Sequence, residues 1–275
     1  MKIKGFSLLA VILVLLAGIV LQLSGCSTVA ITGRKQLNLI PDGELLSMSS
    51  REYTGFLKDN KLSSDSAASR RVTQVGLRIQ TAVEQYFREL GMASELNGYA
   101  WEFNLVQSDE LNAWCMPGGK VVFYTGILPV CKDETGIAVV MGHEVAHAVA
   151  KHGAERMSEG LLAQMGGVAL SAALQSKPDQ TQQLWMTAFG LGAQYGLLLP
   201  HSRNQESEAD HLGLIFMSMA GYDPGGAVPF WERMSAKSGG GKPPEFMSTH
   251  PSDETRINDI KALLPEAMKY YQPTK

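Results

Sequence analysis

Apolar residues recur at helical spacing between residues 66 and 90, where Val72, Val75, Ile79, Val83, Tyr86, Phe87 and Leu90 fall on one side. The same period runs through residues 42–57, so two core-facing helices are predicted there. Residues 99–106 (YAWEFNLV) alternate instead, which predicts a strand. Residues 111–115 and 120–124 flank Met116-Pro117-Gly118-Gly119, whose breakers suit a hairpin turn. Helical patterning resumes near Glu134 and continues almost to the end, with breaks expected at 176–179, 199–202, 221–224 and 239–244. The pattern predicts an α+β fold, mostly α, with one small antiparallel sheet. Residues 161–174 (LLAQMGGVALSAAL) are apolar and rich in small side chains. A bilayer span takes about 20 residues, and this shorter stretch contains Gln164, so a packed helix or a lid against a membrane is expected. No internal repeat is detectable.

The N-terminal residues read differently. Lys2 and Lys4 precede an uncharged apolar run over 6–20, and Leu23-Ser24-Gly25-Cys26 follows. Such a run, ending in small residues, is a secretory signal rather than part of a fold. Leu-Ser-Gly-Cys resembles the lipobox of bacterial lipoproteins, in which the cysteine thiol is acylated and becomes the mature N-terminus. The resemblance implies a lipid on Cys26, removal of residues 1–25 and, from Ser27 in place of Asp, delivery to the periplasmic face of the outer membrane. An uncleaved signal anchor is the alternative. Residues 26–40 show little periodicity and are expected to be a tether, with 41–275 as the folded domain. Of the remaining cysteines, Cys115 and Cys131, neither has a visible electropositive niche for a nucleophile. An oxidising compartment lets them pair, so a disulfide is expected.

Composition narrows the partners. With 45% hydrophobic and 19% charged residues among 275, the chain can bury a core, and disorder is excluded. A formal net charge of −3 without a dense basic run gives no field for nucleic acid.

The candidate chemistry begins at His143-Glu144-Val145-Ala146-His147, inside a strongly helical run. Residues four apart share a helix face, so the two imidazoles converge on one point while Glu144 reaches a water held there. A catalytic zinc takes three protein ligands and one open position. The position six residues after His147, where some zinc proteases carry a third His, is Gly153. His152 lies about 180° from His143 on a continuous helix, which puts it on the wrong face and leaves it a structural or surface residue. The third ligand is therefore sought on the helix beginning near Ser202, where Glu206 and Asp210 share a face. One would bind metal while the other orients an imidazole. Arg203 could hold a carboxylate there, Glu208 faces away and is expected to be solvated or paired with a surface cation, and His201 is a weaker candidate in the preceding loop.

His143-Glu-Val-Ala-His147 followed by Glu206-Ser-Glu-Ala-Asp210 resembles the HtpX-like and CAAX-prenyl-protease-like gluzincin zinc metallopeptidases, whose pattern is H-E-x-x-H and then E-x-x-A-D. Ser248-Thr249-His250-Pro251 with Arg256 is similar to the family's C-terminal segment, Asn112-Ala113 before the turn to its substrate-binding edge strand, and Thr32-Gly33-Arg34-Lys35-Gln36 to Oma-type members. The likeness covers about residues 30–265. It implies a zincin-like fold with its sheet against the active-site helix, and one Zn²⁺ held by His143, His147 and Glu206. Glu144 would be the general base, His250 and Arg256 would stabilise charge on the carbonyl oxygen, Asp210 and Arg203 would support the ligands, and Asn112 and Ala113 would hold substrate. The insert at 158–200, or His250 as a fourth ligand, would gate the site. With the lipobox, the resemblance implies a lipid-anchored endopeptidase acting on unfolded or misfolded envelope proteins, with the outer-membrane assembly machinery as a partner. A non-catalytic chaperone on a peptidase fold and a zinc hydrolase of murein are the competing readings.

Overall fold

The structure, a computed structural model, describes residues 26–175, 177–193, 199–237, 245–250 and 254–273. In chain order it has strands β1 (Cys26–Thr28) and β2 (Lys35–Leu37), helices α1 (Asp42–Asp59) and α2 (Ser66–Glu89), and strands β3 (Glu102–Val106), β4 (Ala113–Met116) and β5 (Lys120–Tyr124). The helices that follow are α3 (Leu128–Cys131), α4 (Glu134–Val149), α5 (His152–Leu174), α6 (Asp179–Ala193), α7 (Leu199–Met219), α8 (Ala227–Ala236), α9 (Glu245–Thr249) and α10 (Glu254–Ala267). The fold is mostly helical with small sheets, as expected. The signal segment and the break at 239–244 lie outside the described residues, while α7 already begins at Leu199, where a break was expected.

α2 turns its apolar stripe into core. Asp65 caps it, its carboxylate accepting from the Ala67 and Ala68 amides, and Val72, Val75, Ile79, Val83 and Phe87 are buried. Leu90 falls just past the helix and is 43% exposed, so the buried stripe ends at Phe87.

The sheet runs β3-β5-β4. β4 and β5 form the expected antiparallel hairpin, its turn closed by Gly118 and Gly119 at positive φ. β3 joins the other side of β5 in parallel, so the sheet is mixed rather than wholly antiparallel. The central place falls to β5, all five of whose residues (KVVFY) are buried, as suits a strand covered on both faces. β4 is thereby left at an edge, packed against α4.

Residues 26–40 are not a loose tether. β1 and β2 pair antiparallel, Val29 and Gln36 are buried, and Arg34 is ion-paired to Glu155 and Glu208, more than a hundred positions along the chain. Local periodicity carries no trace of such distant partners. Residues 161–174 lie in α5, which packs against α6, and among the described residues no helix is long and apolar enough to cross a membrane. The stretch is not tightly packed either, since Leu161, Leu162, Met165 and Val168 are exposed.

α4 is buried from Gly136 to Val149 and is capped by Asp133, whose side chain accepts from the Gly136 amide. It packs chiefly on α7. Gly142 and Gly213 meet at that crossing: a Cβ on Gly142 would stand 2.6 Å from the Gly213 carbonyl oxygen. The two helices can approach only because both side chains are missing there, and that approach brings the two halves of the site together.

Candidate metal centre

His143 and His147 on α4, Glu206 on α7 and His250 just after α9 are all buried. One donor atom from each lies within 4.8 Å of the others. His143 Nε2 is 3.1 Å from His147 Nε2 and 3.1 Å from His250 Nδ1. Glu206 reaches His147 Nε2 at 3.2 Å, His250 Nδ1 at 3.0 Å and His143 Nε2 at 3.4 Å. Donors around a tetrahedral zinc, each at about 2.0–2.1 Å, stand about 3.3 Å apart. The four residues therefore have the spacing of a zinc ligand set. Three imidazole nitrogens and a carboxylate turned toward one point are a donor set of the kind that binds zinc.

The electrostatics agree. Burial disfavours a charged His143, yet Asp210 and Glu206 raise its pKa to about 9, so this corner of the protein favours positive charge. Burial also opposes an ionised Glu206, but the imidazoles of His143, His147 and His250 hold it well below the usual carboxylate range. Burial pushes the Glu144 carboxyl upward, and His250 and His143 offset this only in part. Glu144 is outside the donor set. Among the described residues its Oε1 has no hydrogen-bond partner and lies 3.4 Å from His250 Nε2. A buried carboxylate beside a metal site, raised in pKa and uncommitted, is suited to take a proton.

Residues 74–264 match peptidase family M48. The chain belongs to that family. It is 41% identical over 186 residues to the mitochondrial metalloendopeptidase OMA1 of Schizosaccharomyces pombe, covering 67% of this chain and 53% of that protein. The human mitochondrial metalloendopeptidase OMA1 is 29% identical over 245 residues, covering 87% of this chain and 46% of that protein. The beta-barrel assembly-enhancing protease of Yersinia pestis is 30% identical over 185 residues, with coverage of 64% and 38%. This M48 chain spans about half the length of the OMA1 proteins it matches.

Several supporting residues of the M48 site differ from expectation. Asp210 Oδ1 lies 2.9 Å from His143 Nδ1, a position from which it can orient that imidazole. Arg203 does not support it, being exposed at the start of α7. Arg256 does: it donates two hydrogen bonds of 2.8 Å to Asp210, lies 3.2 Å from Glu206, and rests 3.7 Å above the Trp231 ring. Burial alone would raise the Asp210 carboxyl, but Arg256 and His143 hold it below its usual range. A guanidinium clamped in this way is a positioning group rather than the free oxyanion donor expected. His250 also departs from that role, because its Nδ1 sits among the metal donors.

His152 is neither at the surface nor on the far side of the helix. α4 ends at Val149, Lys151 takes a left-handed conformation (φ 60°), and α5 begins at His152, so the continuous-helix angle does not apply. The ring is fully buried, with Nδ1 2.8 Å from His147 Nδ1 and Nε2 2.9 Å from Glu208. Glu208 is buried rather than solvated, and of its two expected fates it meets the second, pairing with the partly exposed Arg34. Sequence reasoning missed the contacts of His152 and Glu208 with each other and with Arg34 and Thr32, and missed Trp231 altogether. His201 lies within α7 rather than a loop, and its side chain is outside the described residues.

Cys115 and Cys131 are both free, which corrects the expected disulfide. Their surroundings differ: Cys115 is on β4 beside Glu144, whereas Cys131 ends α3 near Arg233 and Asp133. Burial pushes the Cys131 thiol up to about 12 and that of Cys115 well above normal, so neither is an activated nucleophile. Asn112 precedes the edge strand. Its carbonyl accepts from the Tyr124 amide and its side chain from the Ala113 amide.

Proposed function

We propose that this protein is a lipid-anchored zinc endopeptidase of the bacterial envelope that cleaves unfolded or misassembled polypeptides. The observation that carries the reading is the convergence of His143, His147 and Glu206 from two helices, with Glu144 buried beside them and outside the donor set. A bound Zn²⁺ would supply Lewis acidity and lower the pKa of water toward about 7. Glu144 would hold the proton taken from that water and deliver it to the leaving amine. Asp210 and Arg256 would keep His143 and Glu206 aimed while this happens.

Substrate would add to the free edge of β4, pairing main chain with main chain and favouring extended segments over folded ones. The Asn112 carbonyl points toward β5, so by alternation the Leu111 carbonyl points to the open side. The Phe246 amide donates to that carbonyl at 3.2 Å, which ties α9, and with it His250, to the substrate edge. With His250 as fourth donor no position is left for water. Opening would follow when a substrate strand takes over the Leu111 carbonyl and α9 swings away with His250.

His250→Ala should then retain zinc on three donors and raise basal cleavage of a denatured protein. A closed state favoured by about 1.4 kcal/mol gives roughly tenfold. Steady-state assays on denatured casein check this, and a fall in rate would return His250 to a role at the carbonyl oxygen.

The address rests on Leu23-Ser24-Gly25-Cys26, on the uncharged stretch 161–174 with its exposed Leu161, Leu162, Met165 and Val168, and on the name of the assembly-enhancing relative. β1 starts at Cys26, and β2 packs on α5, an arrangement that suits a lipid end beside that apolar helix. Radiolabelled palmitate fed to a bacterial host should label the wild-type protein and not Cys26→Ala. Equal labelling, or none in either, would remove the lipoprotein reading.

A further inference from the structure

We propose that the N-terminal hairpin fixes the proton on a metal-binding imidazole through a relay of three side chains, Arg34, Glu208 and His152, which thereby act as positioning residues for His147. This rests on the reading that His147 binds zinc through Nε2.

The relay starts at a carboxylate with its lone pairs committed. Glu208 accepts from Thr32 Oγ1, from Arg34 Nε at 2.7 Å and from His152 Nε2 at 2.9 Å. A carboxylate facing these donors acts only as acceptor, so His152 carries its proton on Nε2. The two Nδ1 atoms of His152 and His147 stand 2.8 Å apart, and one proton must lie between them. A neutral His147 that gives its Nε2 lone pair to a metal keeps its proton on Nδ1, so His147 is the donor and His152 the bare acceptor. Each step admits one arrangement: Glu208 accepts from His152, His152 accepts from His147, and His147 Nε2 is left open toward Glu206, His143 and His250.

The two α4 imidazoles are thus held by different devices. His143 meets Asp210 directly at 2.9 Å, within the α7–α10 clamp. His147 meets its carboxylate one ring away, and that carboxylate is held from outside the helical body. The Arg34 guanidinium also donates to both oxygens of Glu155, at 2.8 and 2.7 Å, and the Leu39 amide donates to Ser158 Oγ. The hairpin is latched to α5 and α7 at once. Its Thr32 and Arg34 lie only a few residues after Cys26, so the competence of the metal site depends on the docking of the segment nearest the proposed lipid.

The test measures zinc affinity of the full-length protein in detergent by competition with a chelator, together with the imidazole ¹H–¹⁵N spectrum of the zinc-loaded form. Arg34→Ala and His152→Phe should each weaken zinc binding roughly 10- to 100-fold. His152→Gln keeps a donor for Glu208 and an acceptor for His147, so it should recover most of that loss. A slowly exchanging Nδ1–H of His147 should appear in the wild type and vanish in His152→Phe. Should His152→Phe fail to fold, the partly exposed Arg34 and the Gln variant still decide. Zinc affinity within twofold of wild type in Arg34→Ala and both His152 variants would overturn the relay, as would metal bound through His147 Nδ1. These readouts do not involve cleavage, so they stand or fall apart from the endopeptidase reading.

Discussion

Glu144→Gln is expected to leave zinc bound and to abolish cleavage of a denatured protein. The amide keeps the size of the carboxylate but cannot accept a proton. General acid–base catalysis by a positioned side chain contributes roughly 10²–10⁴-fold, and here one carboxylate is used twice, so the loss should reach the upper end of that range. Zinc stays because Glu144 is not a donor. Turnover assays with metal analysis on the same preparation check this, and undiminished cleavage would dispose of the mechanism. The same variant separates the readings in cells. A chaperone on a peptidase fold would protect envelope assembly equally well with Glu144→Gln, whereas an endopeptidase would not. Purified peptidoglycan should survive incubation with the wild type, its digestion favouring the murein hydrolase.

Arg256→Ala should produce the largest loss of stability. The side chain is buried, pairs with Asp210 and Glu206, and stacks on Trp231. Removing one partner of a buried ion pair leaves an uncompensated charge and costs about 3–5 kcal/mol. In a domain of this size that lowers Tm by on the order of 10 °C. Asp210 and Glu206 would also lose the group that aims them, so zinc affinity should fall as well. Arg256→Lys should be intermediate, since an ammonium keeps the charge but not the two parallel bonds to Asp210. Thermal denaturation of the zinc-loaded variants measures this, and a change below about 2 °C would show that the clamp contributes little.

How far the sequence revealed these features follows their range along the chain. His143, Glu144 and His147 are legible because helix geometry alone puts them together. Glu206 and Asp210 are legible as a pair for the same reason. What brings the pairs into one site is the contact of Gly142 with Gly213, and two ordinary glycines in apolar helices give no warning of it. His152 was misplaced because a left-handed Lys151 breaks the helix, a conformation rarely adopted by a residue with a side chain. Glu208 and Arg34 are 174 positions apart, so neither the burial of the one nor the latch made by the other could be read locally. The parallel pairing of β3 is not legible for a related reason: the period of a strand marks its faces, not its neighbour. Arg256 and His250 stand out in the sequence only through resemblance, and what each does depends on which atom faces the donor set, which only coordinates supply.

The account depends on one zinc ion held by nitrogen and oxygen donors from α4 and α7. X-ray absorption at the zinc edge of the purified full-length protein tests this most directly. One zinc per chain is expected, with imidazole scattering, donors at about 2.0–2.1 Å and no sulfur, and with zinc held less tightly in Glu206→Gln, where only the three imidazoles remain. A sulfur shell near 2.3 Å, or zinc retained unchanged in Glu206→Gln, would contradict it.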